Sequence, residues 1–125
     1  MRTAATLGIL AAAVAGCATT GAPVAIAPTP ICSSDAQCTA EWDAARTFVI
    51  EHAGYKIQTY SRDFFQTYNA SDESTSLAAI VNREPDGRGR YKIVAAFACD
   101  NLFGCIPHRA QALDAFNRAV AAAGQ

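Results

Sequence analysis

The chain is poor in the residues that most often carry chemistry. It has only two histidines, His52 and His108, in 125 residues. Neither stands near a nucleophile or a carboxylate at a spacing that acid–base catalysis uses, so both read as surface histidines. No Gly-x-Ser-x-Gly elbow is present to expose a reactive serine, and there is no Cys-x-x-Cys redox pair. An excess of positive charge is missing as well: 10 Lys and Arg stand against 11 Asp and Glu. Nucleic acid is bound mainly through Lys and Arg on phosphates, so this balance argues against a nucleic-acid partner. A membrane-spanning run is also lacking. The most apolar stretch, Ala4 to Ala15, holds about a dozen residues, and a spanning helix needs ~20.

That stretch gains its meaning from the residues on either side of it. Arg2 supplies a small positive n-region, Ala4 to Ala15 an apolar h-region, and the run ends in Val14-Ala15-Gly16-Cys17. An aliphatic residue, a small residue, Gly or Ala, and then Cys resembles the lipobox of bacterial lipoproteins. The resemblance covers residues 1–17 only. It implies cleavage before Cys17, with lipid on the Cys17 thiol and amine, and a mature chain of residues 17–125. With Arg2 removed, 9 basic residues remain against 11 acidic, a net charge of −2. Without a basic patch to hold anionic lipid, the acyl chains are the anchor, and several chains hold where one does not. Asp at the position after the lipidated Cys favours inner-membrane retention in enteric bacteria; Ala18 therefore implies the outer membrane, facing the periplasm.

Assigning Cys17 to lipid leaves four cysteines, Cys32, Cys38, Cys99 and Cys105. An even number in a small exported domain reads as disulfides. Cys-x5-Cys opens the domain and a second Cys-x5-Cys comes near its end, so three pairings are possible. Two short bridges, Cys32–Cys38 and Cys99–Cys105, are favoured over a cross-link between the ends, because each pair brackets a turn that leads into a helix. A four-thiolate metal site is the rival. It fits poorly with an oxidising compartment and with spacings wider than zinc sites use. No metal and no cofactor are expected.

Residues 18–31 carry Pro23, Pro28 and Pro30 and no charge. They read as a tether, spanning roughly 20 Å as coil, before one domain of residues 32–125. Ser34 and Gln37 fit a capping box, with Asp35 in the first turn. Cys38, Trp42, Ala45, Val49 and Ala53 then repeat at helical spacing beside Phe48, and Gly54 stops the helix. Tyr55–Ser61 alternates as a strand. Phe64–Tyr68 extends it or forms a second one. Thr75–Glu84 and Arg90–Cys99 are strands joined by a turn at Asp86-Gly87, the latter apolar enough to lie centrally. Pro107 suits the first turn of a last helix, with Leu113, Phe116, Val120 and Ala123 buried and Gly124 at its end. The expected fold is α+β: a small antiparallel sheet of three to four strands, in the order α-β-(β)-β-β-α, with both helices on one face and a more polar opposite face carrying Lys56, Gln58 or Tyr60.

Three groups of residues are candidates for contact. Arg83, Arg88, Arg90 and Lys92 cluster around one hairpin, either to meet an acidic partner or to guard strand edges. Tyr60, Phe64, Phe65 and Tyr68 are too dense for alternation to bury on one face. Leu102-Phe103 places apolar residues inside the second Cys loop. Asp72 and Glu73 are adjacent carboxylates, best read as a solvated turn. The sequence points to a non-enzymatic accessory or protein-interaction module of the cell envelope, membrane-attached through Cys17. Alternatives are a lipoprotein binding a small ligand or cell-wall fragment in a groove lined by Trp42, Phe48, Phe97 and Phe116, or an immunity protein neutralising a toxin. An enzyme would need a histidine to meet a carboxylate in a cleft.

Overall fold

In a computed structural model that describes residues 23–125, two helices pack on one face of a five-stranded antiparallel sheet. The α+β expectation holds, with one more strand than foreseen. The elements are β1 (Ile31–Cys32), α1 (Asp35–His52), β2 (Ile57–Tyr60), β3 (Phe64–Thr67), β4 (Ala78–Pro85), β5 (Tyr91–Ala98) and α2 (Arg109–Ala123). The sheet order is β1-β5-β4-β3-β2. Phe64–Thr67 is thus a strand of its own. The signal peptide, Cys17 and the first part of the tether lie outside the described residues.

The local rules act where the sequence placed them. The Ser34 hydroxyl accepts the Gln37 N–H at 3.2 Å, and Gln37 Oε1 accepts the Ser33 N–H, so two otherwise orphaned donors are satisfied. Cys32–Cys38 then ties β1 to the first turns of α1. At the end of α1, Gly54 is demanded by space rather than by an unusual φ. A Cβ there would run into the Ser76 Cβ and lie 2.9 Å from its Oγ. Pro107 stands just before the second helix rather than inside it, and His108 is the N-cap, its Nδ1 accepting the Ala110 N–H at 3.2 Å.

β4 and β5 run together for eight residue pairs, from Ala78↔Ala98 to Pro85↔Tyr91. Period-two alternation sends Ala79, Val81, Ile93, Ala95 and Phe97 to the helices. Trp42, Phe48, Val49, Phe65, Leu77, Phe116 and Val120 complete one core. In α2 the inward face is Ala112, Phe116, Asn117 and Val120; Ala123, expected to be buried, is exposed in the last turn. Trp42, Phe48, Phe97 and Phe116 belong to this core and do not line one common groove; Phe48 and Phe97 border a small hollow beside Leu77 and Ala112, and Trp42 borders a different one.

Three further expectations change. First, the domain begins before Cys32. Pro30 is buried, its carbonyl accepts the Ile93 N–H, and Ala27 is held to α2 by Asp114 and Asn117. The tether therefore ends ahead of Ala27. Second, β2 does not alternate simply. A bulge between Ile57 and Thr59 inserts one residue, so Ile57 and Tyr60 both pair with inward-facing residues, Thr67 and Phe65. Tyr60 belongs to the helix side, not the outer face. Third, the middle of the outer face is not polar: Ala78, Ile80, Val94, Ala96 and Ala98 occupy it. β4 is the middle strand of the five; β5 lies between it and β1, which spans only its first two residues.

Replacing Gly54 by Ala forces the α1 terminus away from Ser76. Overpacking of this kind costs ~1–3 kcal/mol. We expect Gly54→Ala to lower the urea midpoint accordingly, with the slope unchanged; an unaltered midpoint would show that the close approach is not needed.

Candidate functional site

The loop between β5 and α2 is the most conspicuous departure from burial rules. Leu102 is 98 % and Phe103 99 % exposed, and Ile106 follows at 73 %. An isolated exposed leucine is ordinary; adjacent, fully exposed Leu and Phe with Ile close by form a patch. The loop nonetheless has many restraints. Cys99–Cys105 closes it, with Cα atoms 5.6 Å apart. Asn101 Oδ1 accepts the Phe103 N–H at 2.9 Å, and the Gly104 N–H reaches the Asn101 carbonyl. The Asn101 side-chain amide donates to the Glu73 carbonyl, while Asp100 accepts the Glu73 N–H at 3.3 Å. The Ile106 N–H donates to the Thr75 carbonyl at 2.9 Å.

The turn that receives these bonds is itself unusual. Asp72 and Glu73 both have left-handed backbones, φ 59° and 52°. Residues with a Cβ adopt this region at a cost of roughly 1–2 kcal/mol each. Ser71 Oγ donates to Asp72, and the Tyr55 hydroxyl accepts the Ser71 N–H. The two carboxylates thus serve a turn, as the sequence implied, and that turn braces the disulfide loop.

The other candidate groups disperse. Arg83 lies on the helix side of β4, its guanidinium 4.4 Å from the Tyr91 ring centroid, whereas Lys92 is on the outer face. Arg90 is paired with Asp86 at 2.7 Å. Backbone donation from Arg88, followed by the Arg90 contacts, holds the Asp86 carboxyl below its ordinary range. Arg88 remains at the exposed tip. These four cations do not make one patch. In the aromatic group, Phe65 is fully buried, Phe64 is half-buried on the outer face, and Tyr60 and Tyr68 are exposed. The group is divided between the core and two separate surfaces.

A groove that the sequence did not indicate lies between α1 and the edge strand β2. It encloses about 690 Å³ and is lined by Arg46, Ile50, Ala53, Gly54, Tyr55, Lys56, Ile57 and Tyr60. Arg46 lies 5.2 Å from the Tyr60 ring centroid. Among the described residues, no carboxylate lines it. The available signal was Ile50, an apolar residue on the polar face of α1. Tyr60 also borders a second hollow with Trp42, Arg62 and Arg83; there Trp42 Nε1 and Arg83 Nε have no hydrogen-bond partner among the described residues.

His52 stacks on Phe48 with its Nδ1 2.9 Å from the Phe48 carbonyl oxygen, and His108 caps α2. Among the described residues, no group of three or more His, Cys, Asp or Glu is placed to hold a metal. Both Cys-x5-Cys pairs are disulfides, in the local pairing that the spacing favoured.

Glu41 was also missed. It is almost fully buried between α1 and the end of α2, against Gly124. Burial raises its carboxyl above the ordinary range, opposed by the Gln37 amide, which donates to Oε1 at 3.1 Å; Oε2 has no partner among the described residues. A raised folded-state value means that the stabilising contribution is complete below the ordinary glutamate range. It is lost as pH rises through the folded-state value. Glu41→Gln should therefore be more stable than the parent chain at pH 8, by about 1 kcal/mol, and no more stable at pH 4. Thermal unfolding at the two pH values checks this; equal shifts at both would refute the burial argument. No family model, curated protein or solved structure matches this chain, so function rests on the geometry above.

Proposed function

We propose that this protein is a lipid-anchored, non-enzymatic interaction module of the bacterial envelope, whose contact element is the 99–106 loop. The observation that carries the reading is the full exposure of Leu102 and Phe103 on a loop held by a disulfide and by Asn101. Ordering a loop costs conformational entropy at the moment of binding, and restraint in advance reduces that cost. A pre-ordered loop with an aromatic tip has the form of an interface anchor, where a few buried aromatic side chains supply most of the affinity. The lipobox resemblance supports attachment at Cys17, and the two disulfides fit an oxidising compartment. Arg88 and the hairpin around it are secondary, since Arg90 is neutralised and Arg83 is turned inward.

A photo-crosslinking residue at position 103 should capture one dominant envelope protein in living cells, and one at position 88 should not. In the unlabelled background, Leu102→Ser with Phe103→Ser should reduce co-purification of that protein at least tenfold, while both disulfides and the unfolding midpoint stay unchanged. Retained co-purification would remove the loop from the interface.

The α1–β2 groove favours a second reading, the binding of a carboxylate-bearing cell-wall fragment. Its volume lies within the range of small-molecule sites, and Arg46 and Lys56 take no part in a salt bridge among the described residues. Titration with soluble peptidoglycan fragments should shift the amide resonances of Arg46, Lys56 and Tyr60, and Arg46→Ala with Lys56→Ala should weaken binding about tenfold. An unperturbed spectrum would discard this reading.

A further inference from the structure

The two edges of the sheet are built differently. β2, at one edge, is four residues long, is interrupted by a bulge at Gln58, and is followed by Arg62. Short length, bulges and charge are the ordinary means by which natural proteins keep an edge from pairing with another chain. At the opposite edge β1 is shorter still, and it leaves most of β5 uncovered by these devices. β1 covers only Tyr91 and Lys92, and the Pro30 carbonyl takes the Ile93 N–H. Beyond that point the preceding chain leaves the sheet for α2, where Ala27 is bound by Asp114 and Asn117. β5 continues for five more residues, Val94-Ala95-Ala96-Phe97-Ala98, with no charge, proline, glycine or bulge.

The direction of its backbone groups follows from one bond. The Ile93 N–H points away from β4, toward Pro30. Along an antiparallel strand both polar groups of alternate residues point the same way. The N–H and C=O of Ala95 and Phe97 therefore point out of this edge, and among the described residues they have no hydrogen-bond partner. Backbone polar groups are rarely left without partners when they are covered, so this edge is either open to water or paired with another strand. The side chains beside it on the outer face, Val94, Ala96 and Ala98, adjoin Ala78 and Ile80 of β4 and form an apolar floor.

We propose that the β5 edge pairs with the same edge of a second copy of this chain, antiparallel about a two-fold axis. The chemistry is self-complementary. With the axis at Ala96, Ala95 of one copy stands opposite Phe97 of the other, a pair that exchanges both N–H···O bonds, and the axis repeats it. The outer-face alanines of the two copies meet side by side, so the apolar floor becomes continuous across the interface. A second copy also satisfies the absence of charge: nothing at this edge selects an acidic or a basic partner, whereas an isologous contact requires only that the surface match itself. The contact is narrow, so the dimer is reversible and concentration-dependent. It uses residues 94–98 and not the exposed Leu102 and Phe103 of the adjoining loop.

The test is sedimentation equilibrium of the full-length chain in density-matched non-ionic detergent, with Ala96→Lys and Ala96→Glu as variants. Ala96 is exposed, so neither change disturbs the core. The parent chain should be a monomer–dimer mixture. Each variant should weaken the dimer at least tenfold, since like charges meet across the axis, and an equimolar mixture of the two should restore it. Hydrogen exchange at the Ala95 and Phe97 amides should slow as the parent concentration rises. Leu102→Ser with Phe103→Ser should leave the dimer intact, which separates this proposal from the loop reading. A parent chain that stays monomeric, with both amides exchanging fast at every concentration, would overturn it and leave the edge to a foreign strand. A dimer that tolerates both charges, or that the mixture fails to restore, would also overturn it.

Discussion

The structure depends on a single meeting point of aromatic rings. Phe48 of α1, Phe97 of β5 and Phe116 of α2 lie 5.5 to 6.3 Å from one another, each pair edge to face. This is the geometry that ring quadrupoles favour. Phe116 is fully buried and the other two nearly so. Because the three come from three elements, they fix both helices to the same side of the sheet at once. A domain of this size supports one core, and that choice leaves the opposite face without a second layer among the described residues. The apolar middle of that face and the open flank of β5 are consequences of a one-sided design.

The periphery is organised by restraint rather than burial. Each end of the helical layer is tied by a disulfide that closes a short loop, so each contributes about 2 kcal/mol by the chain-entropy argument. The second bridge alone does not set the direction of its loop. That is done by Asn101, which meets the left-handed turn at Asp72 and Glu73. Strain in the turn and exposure in the loop are thus parts of one arrangement. The unfavourable backbone of two residues helps hold two apolar side chains in water, where they lower stability and have value only in contact with something else.

The helices and the two long strands were legible because their signals are local. Ser34 with Gln37, the four-and-three spacing through Trp42 and Val49, and the apolar run of β5 each state their own structure. The disulfide pairing was legible from spacing. What the sequence hid was non-local. Ile31–Cys32 is a strand only because β5 passes beside it, and two residues carry no period. The bulge at Gln58 reverses which side Tyr60 faces, and no residue type marks it. Glu41 falls within the inward arc of α1, but its charge reads as solvent-facing; its burial against Gly124 at the end of α2 is a contact between residues far apart in the chain. The arginines around the hairpin looked like one patch in sequence; the pleat of β4 and the Asp86 pair divide them.

The docking of Ala27 has a mechanical side. Tension applied from the N-terminal direction is first borne by the two hydrogen bonds to α2, through Asp114 and Asn117, and then by Pro30 against Ile93. If these yield, β1 peels from the edge of β5. Peeling stops at Cys32, because the bridge to Cys38 transfers the load covalently into α1. There the pull meets a helix whose Trp42, Phe48 and Val49 are anchored in the core, and residues 33–37 are bypassed. The first disulfide is thus a stop that confines mechanical unravelling to a few residues and lets them reseat when the tension falls.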